Sequence, residues 1–161
     1  MTVRFDATRI FKALADHEVA YVTIGGVAMQ AHGGQRFTQD LDVVIESSPD
    51  NYARLALALK GLDARILGPG GQVSAKVPSA ELLGSSDRWR LVTTDGRLDI
   101  LTPPAHLGSF AEMFARAHKV PLACGEVPVA HREDLLELKR NAGRPQDLAD
   151  IRLLESLDDG D

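Results

Sequence analysis

The sequence is poor in the features that build disulfides, zinc sites and membrane spans. Cys124 is the only cysteine among 161 residues, so the chain cannot form an internal disulfide and suits a reducing compartment. Its five histidines have neither the spacing nor the cysteine partners of a zinc site. No run of 18 apolar residues is present, and the first residues lack the apolar region of a signal peptide. We therefore expect a cytoplasmic protein without a membrane segment.

Positive charge is also scarce. The sequence has 18 Lys and Arg residues against 23 Asp and Glu residues, which gives a formal net charge of −5. This balance argues against a protein that coats nucleic acid non-specifically, although it leaves room for a local basic patch. The sequence has neither a Gly-x-x-x-x-Gly-Lys-Ser/Thr motif nor a Gly-x-Ser-x-Gly motif. These two absences exclude a P-loop protein and a hydrolase with a nucleophile elbow.

The length suits a single domain, which we place at residues 1–157, followed by an acidic tail at 158–161. Apolar periodicity, caps and breakers predict several helices. The predicted helices span 7–18, 50–60, 105–117 and 131–141, and a last helix begins at Pro145.

The central stretch, residues 21–46, predicts a strand, a glycine turn, a short helix and a second strand. Its first strand is rich in β-branched residues and is broken by Gly25-Gly26. Residues 27–32 then favour a short helix, and residues 41–45 form a hydrophobic run of strand length. The rest of the chain is interpreted around this unit.

Two features of this stretch indicate phosphate chemistry. Gly25 and Gly26 lie between a strand and a helix, where backbone N–H groups are free and no Cβ blocks a phosphate. Asp40 and Asp42 lie two apart on the second strand, so their carboxylates project from the same face. Two adjacent carboxylates repel each other unless a proton or a cation intervenes, and Mg²⁺ prefers oxygen ligands of this kind. The stretch therefore predicts a magnesium site beside a phosphate site.

A second pattern predicts a β-hairpin. Residues 89–94 and 97–101 flank Asp95-Gly96, which is a strong two-residue turn signal. The second strand places Asp99 between apolar neighbours. Taken alone, this pattern indicates a solvent-facing residue on a half-buried strand.

The motif Gly25-Gly26, followed by Arg36-Phe37-Thr38-Gln39-Asp40-Leu41-Asp42, resembles the signature of the DNA polymerase beta-type nucleotidyltransferase superfamily. The Arg-x-Thr-x-Asp-Leu-Asp form is most similar to small bacterial members, including toxin nucleotidyltransferases of the AbiE kind. The resemblance implies a nucleotidyltransferase fold of the α/β class, with a small mixed sheet and helices mainly on one face. It also implies that Asp99 is the third acidic residue of the family pattern.

A C-terminal segment, residues 138–150, resembles the same family through its Leu-Lys…Arg-x-x-Asp-x-x-Asp pattern. In that family the matching lysine and aspartate are held to support nucleotide binding. Lys139 and Arg144 have the charge to neutralise triphosphate oxygens, and Asp147 belongs to the same set. For Arg144 a second interpretation stays open, in which it caps the loop by pairing with Asp147 or Asp150.

The resemblance implies an enzyme that moves a nucleoside monophosphate from a nucleoside triphosphate to an acceptor hydroxyl and releases pyrophosphate. Three carboxylates, those of Asp40, Asp42 and Asp99, would hold Mg²⁺ or Mn²⁺ and act in catalysis. The nucleotide would be bound by Gly25, Gly26, Arg36, Thr38, Lys139, Arg144 and Asp147.

The acceptor and the biological role stay open. An RNA or tRNA acceptor predicts a basic patch built from Arg36, Lys139, Arg140 and Arg144. A small-molecule acceptor predicts an enclosed pocket, which a homodimer would complete, and a protein acceptor is a further alternative. The resemblance also implies a toxin or phage-defence role with a cognate antitoxin. The alternative from another class is an inactive nucleotidyltransferase-fold protein that binds a nucleotide or a partner protein.

Overall fold

The computed structural model describes residues 5–157. Within this range, seven strands and seven α-helices follow one another along the chain. The strands are β1 (Tyr21–Ile24), β2 (Asp40–Ile45), β3 (Arg65–Ile66), β4 (Arg88–Thr93), β5 (Gly96–Leu101), β6 (His118–Leu122) and β7 (Gly125–Val129). The helices are α1 (Ala7–Asp16), α2 (Gly25–Ala31), α3 (Pro49–Gly61), α4 (Ala80–Leu83), α5 (Phe110–Arg116), α6 (Arg132–Ala142) and α7 (Pro145–Ser156). The predicted acidic tail at 158–161 lies outside the described residues.

The strands form a mixed sheet in the order β3-β4-β5-β2-β1-β7-β6. β2 runs parallel to β5 and β1 runs parallel to β7, whereas the other neighbouring strands are antiparallel. This arrangement confirms the predicted fold class. The two strands of the central motif lie side by side in the middle of the sheet, and β5 lies directly next to β2.

Alternation along the strands separates an apolar face from a face that carries acidic residues. The apolar face contains buried side chains from β2 and β5, namely Leu41, Val43, Leu98 and Ile100. α1 packs on this side, where Phe11 stacks on Tyr21 with ring centroids 6.2 Å apart. Because successive strand residues point to opposite faces, Asp40, Asp42 and Asp99 share the other face.

The predicted hairpin is present, but its turn lies one residue earlier than predicted. Thr93 pairs with Gly96, so the two loop residues are Thr94 and Asp95. Gly96 begins β5 with a φ of +120°, a conformation that L side chains rarely adopt. The Asp-Gly signal therefore located the hairpin, while the glycine itself belongs to the strand.

The predicted helix at 105–117 is wrong in its first half. A 3₁₀ turn spans Ala105–Leu107 and is followed by Gly108, whose φ of +85° cannot continue a helix. Ser109 then starts α5 through a capping box with Glu112.

The short helix of the central motif also differs from the prediction, because α2 begins at Gly25 itself.

The remaining predicted helices are confirmed as α1, α3, α6 and α7, with bounds that differ by one or two residues. α6 ends at Gly143, which has the left-handed conformation common after a helix C-terminus. The buried apolar side chains form a cluster to which the sheet and its helices all contribute. None of the helices within residues 5–157 has the length and apolar character that a membrane crossing requires.

Candidate functional site

Three carboxylates meet where β2 and β5 run side by side. Asp42 and Asp99 are direct partners in the parallel register of the two strands, and Asp40 lies two residues before Asp42 on the same face. One oxygen from each carboxylate lies within 4.8 Å of the others. Among the described residues, this is the one group of three or more acidic, histidine or cysteine side chains close enough to share a metal ion. The structure thus brings together the three acidic residues that the sequence singled out.

The proximity of these carboxylates changes the protonation of Asp42. The pKa of Asp42 is raised to about 7, first by burial of its carboxyl group and then by the negative charges of Asp40 and Asp99. The charge of Lys139 opposes this shift. Near neutral pH the cluster therefore holds a proton where a divalent cation would otherwise balance its charge.

The other two carboxylates have fixed hydrogen-bond partners. The Thr38 hydroxyl donates to the Asp40 carboxylate at 3.2 Å and to its backbone carbonyl at 3.0 Å. Nη2 of Arg97 lies 3.3 Å and 3.2 Å from the two carboxylate oxygens of Asp99. Sequence reasoning missed Arg97, although its position two residues before Asp99 on a strand would have placed it on the same face.

The glycine turn leaves space that the side chains of Asp42 and Thr38 occupy. Gly25 has a φ of +71°, and a Cβ built on it would lie 2.2 Å from Oδ2 of Asp42. A Cβ on Gly26 would lie 3.0 Å from Cβ of Thr38. The two glycines therefore let the start of α2 lie against the acidic strand. The sequence predicted a close approach of a phosphate to these glycines, and that binding role stays a prediction.

α6 and α7 bring a lysine to the same region. Nζ of Lys139 lies 3.0 Å from Oδ2 of Asp150 and 3.6 Å from Oδ1 of Asp147. The Asp147 side chain is 0% exposed and that of Asp150 is 4% exposed, so these are buried ion pairs. Arg36 joins the network from the loop before β2 by donating from Nη1 to Asp150. The predicted nucleotide ligand Arg36 is thus held by α7.

Arg144 has the capping geometry that was one of its two interpretations. Its Nε donates to Oδ2 of Asp147 at 2.7 Å, and its backbone N–H donates to the same oxygen at 3.0 Å. The hydrogen bond from Arg144 lowers the pKa of Asp147, and the same contact raises the pKa of Arg144. Its side chain remains 60% exposed, so this pairing does not bury the guanidinium.

A cleft of about 350 Å³ connects these elements. It lies within the size range of small-molecule sites. Its lining includes the predicted residues Gly25, Asp42, Lys139, Arg144 and Asp147. It also includes three polar residues that sequence reasoning did not select, namely Arg88, His106 and Asn141. Arg88 lies on the acidic face of β4, opposite Leu101 of β5, so strand alternation would have identified it once the pairing was known.

Comparison with solved structures finds the same fold in proteins of low sequence identity. The lincosamide antibiotic adenylyltransferase LnuA, solved with lincomycin bound, matches with a TM-score of 0.64 at 15% identity, over 96% of this chain and 99% of that one. ANT(2'')-Ia, solved in complex with adenylyl-2''-tobramycin, matches with a TM-score of 0.61 at 16% identity, over 92% of this chain and 84% of that one. A Thermotoga maritima protein with a provisional nucleotidyltransferase assignment matches with a TM-score of 0.56 at 12% identity, over 91% and 88%.

These likenesses show that the chain has a nucleotidyltransferase fold. No protein-family model matches the chain, and no curated protein matches its sequence. The AbiE-type part of the resemblance therefore stays a prediction.

Proposed function

We propose that this protein is a nucleotidyltransferase that moves a nucleoside monophosphate from a nucleoside triphosphate to an acceptor hydroxyl, with Mg²⁺ or Mn²⁺ as cofactor. The observation that carries the proposal is the meeting of Asp40, Asp42 and Asp99 on adjacent strands, directly against the glycine turn at Gly25. Gly25 has a positive φ and lacks a Cβ, and this combination makes room for one oxygen of Asp42. An acidic cluster without a binding role would not require such a turn.

The chemistry of the donor set fits a hard divalent cation. Three carboxylates offer oxygen atoms within 4.8 Å of one another, and burial together with mutual repulsion disfavours their full ionisation without a cation. Asp40, Asp42 and Asp99 would hold the metal. When bound, Mg²⁺ would neutralise triphosphate oxygens and stabilise the charge that develops on the leaving pyrophosphate.

The surrounding residues would position the two substrates. Thr38 and Arg97 fix the orientation of the Asp40 and Asp99 carboxylates. Asp99 would orient the acceptor hydroxyl and favour loss of its proton, so that the oxygen bonds to the α-phosphorus while pyrophosphate leaves. Lys139, which lines the cleft with Asp42, would place a positive charge near the triphosphate.

The predicted nucleotide ligands contribute in different ways. Gly25 and Gly26 would offer backbone N–H groups to the phosphates, since no Cβ intervenes. Arg144 lines the cleft and would reach a phosphate by exchanging its contact with Asp147. Arg36 would act through Asp150, which it shares with Lys139.

The acceptor of the nucleoside monophosphate and the role of the protein in the cell have several candidates. Two proteins of this fold were solved with an antibiotic or its adenylylated product, which makes a small-molecule acceptor one candidate. RNA, tRNA or protein are the others. A toxin role of the AbiE kind, exerted in the cytoplasm and opposed by a cognate antitoxin, predicts that expression arrests growth and that Asp42→Asn relieves the arrest.

The test is a labelling assay with each α-³²P nucleoside triphosphate, Mg²⁺ and a cell extract. Wild-type protein should transfer label to one class of acceptor, and Asp42→Asn should not. Asp16→Asn changes an exposed carboxylate on α1 in the same way and should behave as wild type. Equal label with Asp42→Asn would overturn the assignment. Absence of label with all four nucleotides, together with measurable nucleotide binding, would favour an inactive binding protein.

A further inference from the structure

A row of arginines lies beside the carboxylates on the face of the sheet that carries them. Arg97 precedes Asp99 on β5, and Arg90 of β4 is the direct cross-strand partner of Asp99. Arg88 lies two residues before Arg90 and therefore on the same face. The three guanidinium groups thus follow the acidic cluster from β5 out onto β4.

The two arginines on β4 differ from most others in the chain. Arg116, Arg140 and Arg144 each pair with a carboxylate. Arg88 and Arg90 are exposed and form no ion pair within residues 5–157. Their position beside the acidic cluster places two exposed guanidinium groups at the site, where a ligand can reach them.

The residues of the basic patch predicted from the sequence already have carboxylate partners within the protein. Arg36 pairs with Asp150, Lys139 with Asp147 and Asp150, and Arg140 with Glu137 and Glu155. Arg144 pairs with Asp147, so each charge of the predicted patch is at least partly balanced by a carboxylate, while Lys139 and Arg144 still line the cleft. Arg88 and Arg90, which form no such pair within residues 5–157, therefore offer a separate basic surface at the site, on β4 at the edge of the same cleft.

The spacing and openness of the row indicate what it would bind. Residues two apart on a strand are separated by about 7 Å, so Arg88 and Arg90 suit two different phosphates better than one. The cleft of about 350 Å³ has room for a nucleotide but not also for a large acceptor. Arg88 lines that cleft and Arg90 lies beyond it, so an acceptor that touches both must extend across the open sheet face.

We propose that Arg88 and Arg90 bind consecutive phosphates of a single-stranded RNA acceptor and deliver its terminal hydroxyl to Asp99. This inference rests on the proposed nucleotidyl transfer and assigns its acceptor class. A positively charged acceptor would be repelled by these two guanidinium groups. Phosphates, in contrast, would meet two guanidinium groups that have no competing partner among the described residues.

The test measures binding of a fluorescein-labelled single-stranded RNA oligonucleotide by anisotropy between 50 and 300 mM salt. The double variant Arg88→Gln/Arg90→Gln should bind the RNA about tenfold more weakly than the wild type at low salt. The slope of log affinity against log salt should also become shallower by about 1.4, because each phosphate contact to a single strand contributes about 0.7 to that slope. Arg152→Gln removes an exposed charge from α7 and is the matched control. It should keep the wild-type slope.

The outcomes separate this inference from the proposed function. If the double variant binds RNA with the wild-type slope and the wild type still transfers label, the assignment of an RNA acceptor is wrong. The proposed nucleotidyl transfer is then unaffected. RNA binding that depends on Arg88 and Arg90, without label transfer to any acceptor, overturns the proposed function and keeps the RNA surface. Folding of the double variant is checked by its thermal unfolding, which we expect to match that of Arg152→Gln because both β4 side chains are exposed.

Discussion

Gly25 leaves the space that the carboxylate of Asp42 occupies, since a Cβ on residue 25 would lie 2.2 Å from Oδ2 of Asp42. The φ of +71° at Gly25 adds a second reason for glycine at this position. The glycine turn and the acidic strand are therefore a single structural unit, in which any side chain at residue 25 would displace the Asp42 carboxylate.

Gly25→Ala should damage both stability and activity. The alanine would need a left-handed backbone and would displace the Asp42 carboxylate, so we expect the free energy of unfolding to fall by about 2–4 kcal/mol. Nucleotidyl transfer should be lost even at temperatures where the variant is folded, because Asp42 moves away from Asp40 and Asp99. Urea unfolding and the labelling assay measure the two effects separately.

Gly61→Ala is the control for this substitution. Gly61 ends α3, and no heavy atom lies within 4 Å of a Cβ built there. Its free energy of unfolding should be unchanged or higher by up to about 1 kcal/mol, since alanine restricts the unfolded chain. A Gly25→Ala protein as stable and as active as Gly61→Ala would contradict the dependence of Asp42 on residue 25.

The protonation of Asp42 predicts an unusual pH dependence of stability in the metal-free protein. Asp42 ionises near pH 3.8 when unfolded but near pH 7 when folded, so the folded state binds more protons between these values. The free energy of unfolding should therefore fall as pH rises from about 4 to 7, by on the order of 4 kcal/mol from this group. Urea unfolding in EDTA at pH 5 and pH 8 measures the change.

Asp42→Asn should remove this contribution, because asparagine does not titrate. Asp16→Asn, which changes an exposed carboxylate, should keep the pH dependence of the wild type. Mg²⁺ at pH 8 should stabilise the wild type and not Asp42→Asn, because a ligand stabilises only the state that binds it. If the free energy of unfolding depends on pH equally in the wild type and in Asp42→Asn, Asp42 is not the group that causes this dependence.

Much of the site could be predicted because its determinants are local. Gly25 and Gly26 follow a short β-branched strand, and Asp40 and Asp42 share a face by strand alternation alone. The hairpin signal at Asp95-Gly96 likewise placed Asp99 on a strand. Only the resemblance to a family connected Asp99 with Asp42, since their contact depends on the pairing of β2 with β5, which no local pattern encodes.

The parts that sequence reasoning missed depend on distant contacts or on single glycines. The ion pair of Arg36 with Asp150 joins residues far apart in the chain, so the arginine was assigned to the nucleotide alone. Arg88 and Arg90 could not be placed near Asp99 without the register of β4 and β5. The helix predicted at 105–117 fails because the positive φ of Gly108 interrupts it.

The buried ion pairs of Asp150 predict a large effect of a single substitution on stability. The Asp150 side chain is 4% exposed and pairs with both Arg36 and Lys139. Asp150→Ala would leave these cations with less compensation, and we expect a loss of about 2–4 kcal/mol in the free energy of unfolding. Glu155→Ala on the same helix removes an exposed pair with Arg140 and should cost less than about 0.5 kcal/mol. Similar losses for the two variants would contradict the assignment of a buried network.

Substitution of Phe37 should affect substrate binding without affecting stability, in contrast to substitution of Asp150. Its side chain is 82% exposed, the highest value among the large apolar residues of the described chain. Its neighbours Arg36 and Thr38 are fixed by Asp150 and Asp40. An exposed aromatic ring held beside an acidic cluster suits stacking on a nucleobase, which contributes about 1–3 kcal/mol per base.

Phe37→Ala should therefore leave the free energy of unfolding within about 0.5 kcal/mol of the wild-type value, as expected for an exposed position. It should raise the KM for the nucleotide or weaken RNA binding by about five- to a hundredfold, which corresponds to the loss of one stacked base. Leu57→Ala, at an exposed apolar position on α3, should change neither quantity. If Phe37→Ala changes neither the KM for the nucleotide nor the affinity for RNA, the ring does not contact either substrate. If the variant loses much of its stability, the ring packs against the rest of the protein.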